Sequence, residues 1–393
     1  MVMLPLNVPT DIDKYFYNRK KDIKLLNFYI NSLNENIPFQ LLITGYRGVG
    51  KTFLLKKLLN EQPDQILTVY LDLSKVYAKK WGIITENDVL KELLNGINSS
   101  LTEHESFDKI KDELINQVKQ LPLTNYDFTK GNDIFNIPLH EIKDNYSTLS
   151  KFTMELPQKI ADLSDEIKGF IIVFDEFQLL KKLDNPESFF WLIRSFSQTQ
   201  DSVSYIFAGS ISRTSDIIEM INGQTGAFGG RMIQVNIDPF SEEETKNYMN
   251  EMTNGLNFTK EGFDRFYKCT QGIPAYINSF ANVLDAIETY DDSLIKEIFV
   301  LKIDQIAVIW LRVWGTLNTK EKTIVKTVMD TGKITLTELI KNVPYSKGTV
   351  IKYLETLQNK GIIEYIDKNY EITDQMLKSW LKYKKETEGY YPE

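Results

Sequence analysis

The residues Gly45-Tyr-Arg-Gly-Val-Gly-Lys-Thr52 follow the spacing G-x-x-x-x-G-K-[S/T]. Glycines so spaced let successive backbone N–H groups curl around phosphate oxygens, Lys51 offsets their charge, and the Thr52 hydroxyl can ligate Mg²⁺. The candidate nucleotide contacts are Gly45, Tyr46, Arg47, Gly48, Val49, Gly50, Lys51, Thr52 and Phe53. A second cluster, Phe170-Ile-Ile-Val-Phe-Asp-Glu-Phe-Gln178, is an apolar run that ends in two carboxylates. At the C-terminal edge of a sheet, Asp175 would hold Mg²⁺ while Glu176 would orient and deprotonate an attacking water. Phe207-Ala-Gly-Ser210 sets a hydroxyl at a strand end near the expected γ-phosphate, and a plain turn serine is the competing reading. Arg213 and Arg231 are candidates for stabilising the transferring phosphoryl group, in cis or from a neighbouring subunit, with an ordinary surface role as the alternative. The expected catalytic set is Lys51, Glu176, Ser210 and Arg231, with Thr52 and Asp175 on Mg²⁺. A glutamate beside the metal-binding acid points to ATP hydrolysis and not to kinase or GTPase chemistry.

These groups need a sheet to hold them. Phe39–Thr44 reads as a buried strand between a helix over Asp22–Leu33 and a helix from Thr52 to about Asn60. Ile66–Leu73, Gly169–Phe174, Val203–Ala208 and Met232–Ile237 read as further strands, with a helix around Glu187–Thr199. Strands alternating with helices predict an α/β fold with a parallel five-stranded sheet, in residues 1–237. The stretch 74–168, with helices near Glu86–Leu101 and Phe107–Gln120 and a turn at Gly131–Asp133, reads as an elaboration on that sheet.

Ser241-Glu-Glu-Glu is a helix start, with a capping hydroxyl and early acids matched to the helix dipole. Residues 238–300 show only helical periods and are expected to form a lid. Residues 301–393 change grammar: Asn318 caps a helix through Met329, Thr335–Lys341 and Ser346–Asn359 follow, and Gly361–Ile366 with Tyr370–Thr373 makes a hairpin around Asp367–Asn369. Three helices and a hairpin are the order of a winged helix.

In order along the chain, Phe16-Tyr-Asn-Arg19, the Gly45–Thr52 loop, Val173–Gln178, Phe207–Ser210, Gly230-Arg231 leading to Asp238-Pro-Phe240, and Gln271-Gly-Ile-Pro274 resemble the archaeal ATPase family, in the STAND branch of AAA+-type P-loop NTPases. The resemblance covers about residues 14–300. It implies an ATP-binding sheet domain, a helical lid and, commonly, a C-terminal winged helix. It also implies that Arg19 sits near the adenine or ribose and that Pro274 starts a lid helix near the nucleotide. Ser210 stands where many AAA+ proteins have Asn, and Gly-Ile-Pro replaces their lid arginine. Both departures favour a switch ATPase over a ring motor.

Composition bounds the rest. The chain has 393 residues, 42% hydrophobic and 25% charged, enough for two or three domains of about 150 residues. Its 46 basic against 54 acidic residues give a net charge of −8, which argues against a surface built throughout for nucleic acid or anionic lipid. The single Cys269 excludes an internal disulfide. No apolar stretch approaches the ~18 residues of a membrane span, and the first residues lack a secretory signal, so a soluble cytoplasmic protein without membrane contacts is expected. The expected ligands are ATP or ADP with Mg²⁺. The third helix of the C-terminal module exposes Ser346, Lys347, Thr349 and Lys352, and Lys347, Lys352 and Lys360 against Glu355 give a net of +2 between Tyr345 and Lys360. DNA and a protein partner both stand as partners of that module, and the oligomeric state is open. The functional reading is an ATP-hydrolysing molecular switch coupled to a winged helix. Its alternative is an ATP-regulated DNA-binding protein of replication-initiator or transcriptional type.

Overall fold

The computed structural model describes residues 3–393 apart from 106, 111, 113–130, 135–136, 141–145, 211–215, 254 and 286–287. Five strands form one parallel sheet: β1 (Gln40–Gly45), β2 (Ile66–Asp72), β3 (Gly169–Asp175), β4 (Val203–Ala208) and β5 (Ile233–Ile237). Their spatial order is β2-β3-β4-β1-β5. Asp72 is in register with Asp175, Asp175 with Ala208, Ala208 with Ile43, and Gly45 with Ile237, so all five strands end along one edge. The insertion of β4 between β1 and β3 matters for function. It leaves room, at that edge, for a side chain between the loop that follows β1 and the acids that follow β3.

The strands alternate between two buried faces. Leu42, Phe170, Ile172, Phe174, Tyr205 and Phe207 point to one face, which is covered by the helices Glu86–Thr102, Tyr146–Leu163, Pro186–Ser197 and Asp216–Asn222. Leu41, Ile43, Ile171, Val173, Ile206 and Val235 point to the other, covered by the helices Lys20–Ser32 and Lys51–Asn60. Two expectations within 74–168 change. Gly131–Ile134 is not a turn but a strand paired antiparallel with Ile137–His140, and the helix expected over 107–120 lies mostly outside the described residues.

Beyond β5, the capping box of Ser241 and Glu244 opens the helix Glu242–Met252. The helices Lys260–Thr270, Pro274–Ala281 and Asp292–Leu301 follow. The expectation of helix alone here is amended by a short parallel ladder between Asn257–Phe258 and Thr289–Tyr290. The C-terminal module has the winged-helix order: Thr319–Thr331, Leu336–Asn342 and Lys347–Asn359, then antiparallel strands Glu364–Ile366 and Asn369–Glu371 that join Lys333–Ile334 in a three-stranded sheet. The wing turns at Asp367 and Lys368, both with positive φ, as a two-residue hairpin requires. A last helix, Gln375–Glu388, buries Met376, Leu377, Trp380 and Leu381.

One apolar cluster runs from Phe240 and Tyr276 through Trp310 and Ile324 to Trp380 and Leu381. At its centre is a buried polar node. Tyr276 Oη donates to Asp374 Oδ2 at 2.7 Å, and Trp310 Nε1 donates to Asp374 Oδ1 at 2.9 Å and to Tyr276 Oη at 2.6 Å. Asp374 also accepts from Leu377 N–H at 2.8 Å and so caps the last helix. Burial raises the Asp374 carboxyl above the usual carboxylate range, against the pull of these hydrogen bonds. Asp374→Ala strands the buried Tyr276 hydroxyl, leaves Trp310 only its bond to that hydroxyl, and removes a helix cap, and should lower stability by about 2 kcal/mol. Because desolvation raises the Asp374 pKa in the folded chain, the buried carboxyl costs least when it is protonated at low pH, and stability falls as pH rises through the Asp374 pKa. Urea unfolding at several pH values should therefore show a flatter profile for Asp374→Asn than for the parent.

Candidate nucleotide-binding site

The loop between β1 and the helix Lys51–Asn60 is shaped by two glycines that accept no side chain. Gly45 has φ +152°, and a Cβ there would lie 2.5 Å from the Ile237 carbonyl oxygen. Gly48 has φ +80°, and a Cβ there would lie 2.7 Å from Ala275 Cβ and 3.1 Å from Ile309 Cδ1. The chain enters the helix through Gly50 at φ +101°, which turns the first-turn N–H groups and their positive potential toward the cavity.

Lys51 is 5% exposed. Its ammonium donates to the carbonyls of Gly45 at 2.9 Å and Tyr46 at 3.0 Å and to Ser210 Oγ at 2.7 Å. Burial lowers its pKa to about 8, and the nearby Glu176 and Asp175 carboxylates oppose that shift. Thr52 Oγ1 donates to Asp175 Oδ2 at 2.8 Å, and Tyr70 Oη donates to the same oxygen. Asp175 Oδ1 accepts from the Glu176 N–H at 3.0 Å. Burial raises the Asp175 carboxyl, because its hydrogen-bond donors are neutral and only partly offset the desolvation. Glu176 takes a left-handed conformation, φ +56°, directly after β3, and its carboxylate accepts from Gln178 Nε2.

These groups face a cavity of about 450 Å³. Arg47 through Phe53, Glu176, Ser210 and Pro274 line it, as does Arg19. Gly45 and Tyr46 contribute carbonyls to Lys51, and Asp175 stands behind Thr52. Arg19 donates to the carbonyls of Val49 at 2.7 Å and Asp238 at 2.6 Å and lies 4.6 Å from the Phe240 ring centre. It thus ties the loop to the segment that follows β5. Pro274 is the first residue of its helix, and the next N–H, on Ala275, donates to the Gly48 carbonyl at 3.2 Å.

A family model described as an ATPase domain predominantly from Archaea matches residues 16–280. The chain belongs to this archaeal ATPase family. A second model, described as winged helix-turn-helix DNA-binding, matches residues 317–364. Among solved structures, the Walker-type ATPase of Pyrococcus abyssi is similar at 19% identity and a TM-score of 0.65, over 96% of this chain and 99% of that one. The Aeropyrum pernix ORC1 protein, solved in complex with DNA, is similar at 12% identity and a TM-score of 0.49, over 98% and 96%. A STAND protein with a tetratricopeptide repeat sensor from Pyrococcus horikoshii is similar at 16% identity and a TM-score of 0.37, over 93% of this chain and 42% of that one. No curated protein matches the chain.

The archaeal ATPase fold does not bring every expected residue to the cavity. Arg231 is exposed just before β5, at the end of the sheet away from the phosphate loop, and Gly229 and Gly230 before it have positive φ. Its charged neighbour is Arg194, not a phosphate-loop residue. Arg213 lies outside the described residues. Several wall residues carried no sequence signal. Pro5, Leu6, Asn7 and Val8 line the cavity, because the Pro274–Ala281 helix and its C-cap strap this leader in place: Asn278 donates to the Pro5 carbonyl at 2.8 Å and Asn282 to the Leu4 carbonyl at 2.9 Å. Tyr70 on β2 and Arg312 beyond the lid were also missed. Only the bare alternation of β2 could have singled out Tyr70.

The buried ammonium makes a pH prediction. A phosphate held here would favour protonated Lys51, so above pH 8 binding of a nucleotide would take up a proton, and affinity should fall between pH 7 and 9. Titration calorimetry in buffers of different ionisation heat should register that uptake in the parent at pH 8.5 and much less of it at pH 7. Binding heats independent of the buffer at pH 8.5 would remove Lys51 from the phosphate site.

Proposed function

We propose that this archaeal ATPase binds ATP with Mg²⁺, hydrolyses it slowly, and uses the bound or hydrolysed state to set the position of its winged helix. The observation that carries the reading is the convergence of three strand ends. Lys51 bonded to Ser210, and Thr52 bonded to Asp175, unite the phosphate loop, the β4 end and the acid strand at one cavity beside Glu176.

The donor set fits Mg²⁺. Asp175 is a buried carboxylate whose hydrogen-bond partners are hydroxyls and a backbone N–H, so a hard cation would supply the charge it lacks. Thr52 and Asp175 would hold the ion, and when bound it neutralises charge on the phosphates. Lys51 would exchange its three protein acceptors for phosphate oxygens. Glu176 would accept the proton of the attacking water, and its bond to Gln178 must open or shift for it to do so, which supports slow turnover. Arg231 would meet a phosphate only across a subunit boundary. Residues 1–237, 238–300 and 301–393 would act as sheet domain, lid and winged helix.

A second reading, DNA binding regulated by ATP, draws on the match over residues 317–364 and on the exposure of Ser346, Lys347 and Lys352 at the start of the third helix. Its electrostatics are weaker than the sequence count implied. Lys360 is spent on the buried Glu321 at 2.7 Å, so two lysines of the three remain for phosphates.

One experiment addresses both readings. Glu176→Gln should retain ATP and lower phosphate release by ~10²-fold or more, while Lys51→Ala should lose both. Unchanged turnover in Glu176→Gln would remove the assigned base. With ATP held by Glu176→Gln, duplex DNA affinity should be low and fall with salt by the small slope of two contacts. No binding at low salt would eliminate the DNA reading.

A further inference from the structure

The helix that begins with Pro274 carries no arginine, but the segment that follows Asp292–Leu301 does. The helix Val308–Gly315 buries Trp310, Val313 and Trp314 in the C-terminal core. Ile309 and Arg312, three residues apart, share a different face. Ile309 Cδ1 approaches to 3.1 Å from where a Cβ on Gly48 would be, so this face lies against the phosphate loop. Arg312 lines the nucleotide cavity.

Arg19, Arg47, Lys51 and Arg312 line the cavity with Glu176, while Asp22, paired with Arg19 at 3.5 Å, and Asp175, behind Thr52, stand at its margin. The four cations are not equivalent. Arg19 is committed to two backbone carbonyls and to Asp22, and Lys51 to two carbonyls and a hydroxyl. Arg47 Nε is buried and has no hydrogen-bond partner among the described residues. Arg312 is exposed to the cavity and makes no hydrogen bond or ion pair among the described residues. Uncommitted guanidinium groups converging on one cavity in a protein of net charge −8 point to a polyanion as the missing acceptor.

We propose that Arg312 is a phosphate contact for ATP, contributed by the C-terminal segment and not by the lid. Its guanidinium donates to phosphate oxygens held by the Gly45–Thr52 loop. The helix that carries it is bonded through Trp310 to Tyr276 and Asp374, so the presence of phosphate is transmitted to the winged helix through one rigid segment. This inference rests on the reading of the cavity as an ATP site.

The test compares the parent, Arg312→Ala, Arg312→Lys and Lys51→Ala by titration with Mg²⁺ and a slowly hydrolysed ATP analogue, and separately with adenosine. Arg312→Ala should weaken the analogue by about tenfold, Arg312→Lys by less, and neither should change adenosine affinity. Without nucleotide the melting temperature of Arg312→Ala should equal the parent's, because the side chain has no partner to lose, while the rise on adding analogue should shrink. If Arg312→Ala binds the analogue like the parent and Lys51→Ala does not, the inference is overturned and the ATP site stands. If both bind like the parent, the ATP site falls as well. A parallel loss of adenosine would also overturn the inference, since the arginine would then be supporting the base-side wall.

Discussion

The backbone of the phosphate loop is the surface on which the two halves of this protein meet, and that contact constrains everything else. At Gly48 there is no space for a methyl group, because Ala275 from the lid and Ile309 from the next helix occupy it. The Gly48 carbonyl accepts from the lid helix, and the Val49 carbonyl from Arg19. The outward face of this loop is therefore committed to the C-terminal body, which is the contact through which the proposed coupling would act.

A second contact closes the circuit from the other side. Ser210, bonded to Lys51, has Gly361 of the winged helix against its carbonyl, where a Cβ would lie 3.3 Å away. Beside it Lys181 pairs with Asp216 and approaches Glu355 of the third winged-helix helix at 3.9 Å. The C-terminal body thus touches both ends of the arc formed by loop, lysine and serine. The Tyr276–Asp374–Trp310 node and the shared apolar core join the helices after β5 to the winged helix in one packed body.

The parts of this arrangement that were legible in the sequence are local. The phosphate loop, the Asp175-Glu176 strand end, Ser210, the five strands and the winged-helix order each sit within a few consecutive residues, where spacing and period report directly on geometry. What escaped was long-range. The leader enters the cavity wall only because Asn278 and Asn282 reach its carbonyls. Arg312 is an ordinary helix arginine until Gly48 and Ile309 bring its face to the loop. Lys360 counted as a DNA-facing charge, but the buried Glu321, itself half of a capping box with Asn318, holds it. The last helix carries its own signal in the Asp374 cap and the Met376, Leu377, Trp380, Leu381 spacing.

The central claim is that nucleotide state moves the C-terminal body relative to the sheet. Spin labels at two exposed positions, Glu187→Cys beside the sheet and Lys352→Cys on the winged helix, in a Cys269→Ser and Glu176→Gln background, report that distance by pulsed electron resonance. The account predicts one distance distribution with ADP and a distinct one with ATP and Mg²⁺. Identical distributions with ATP, with ADP and without nucleotide would contradict it.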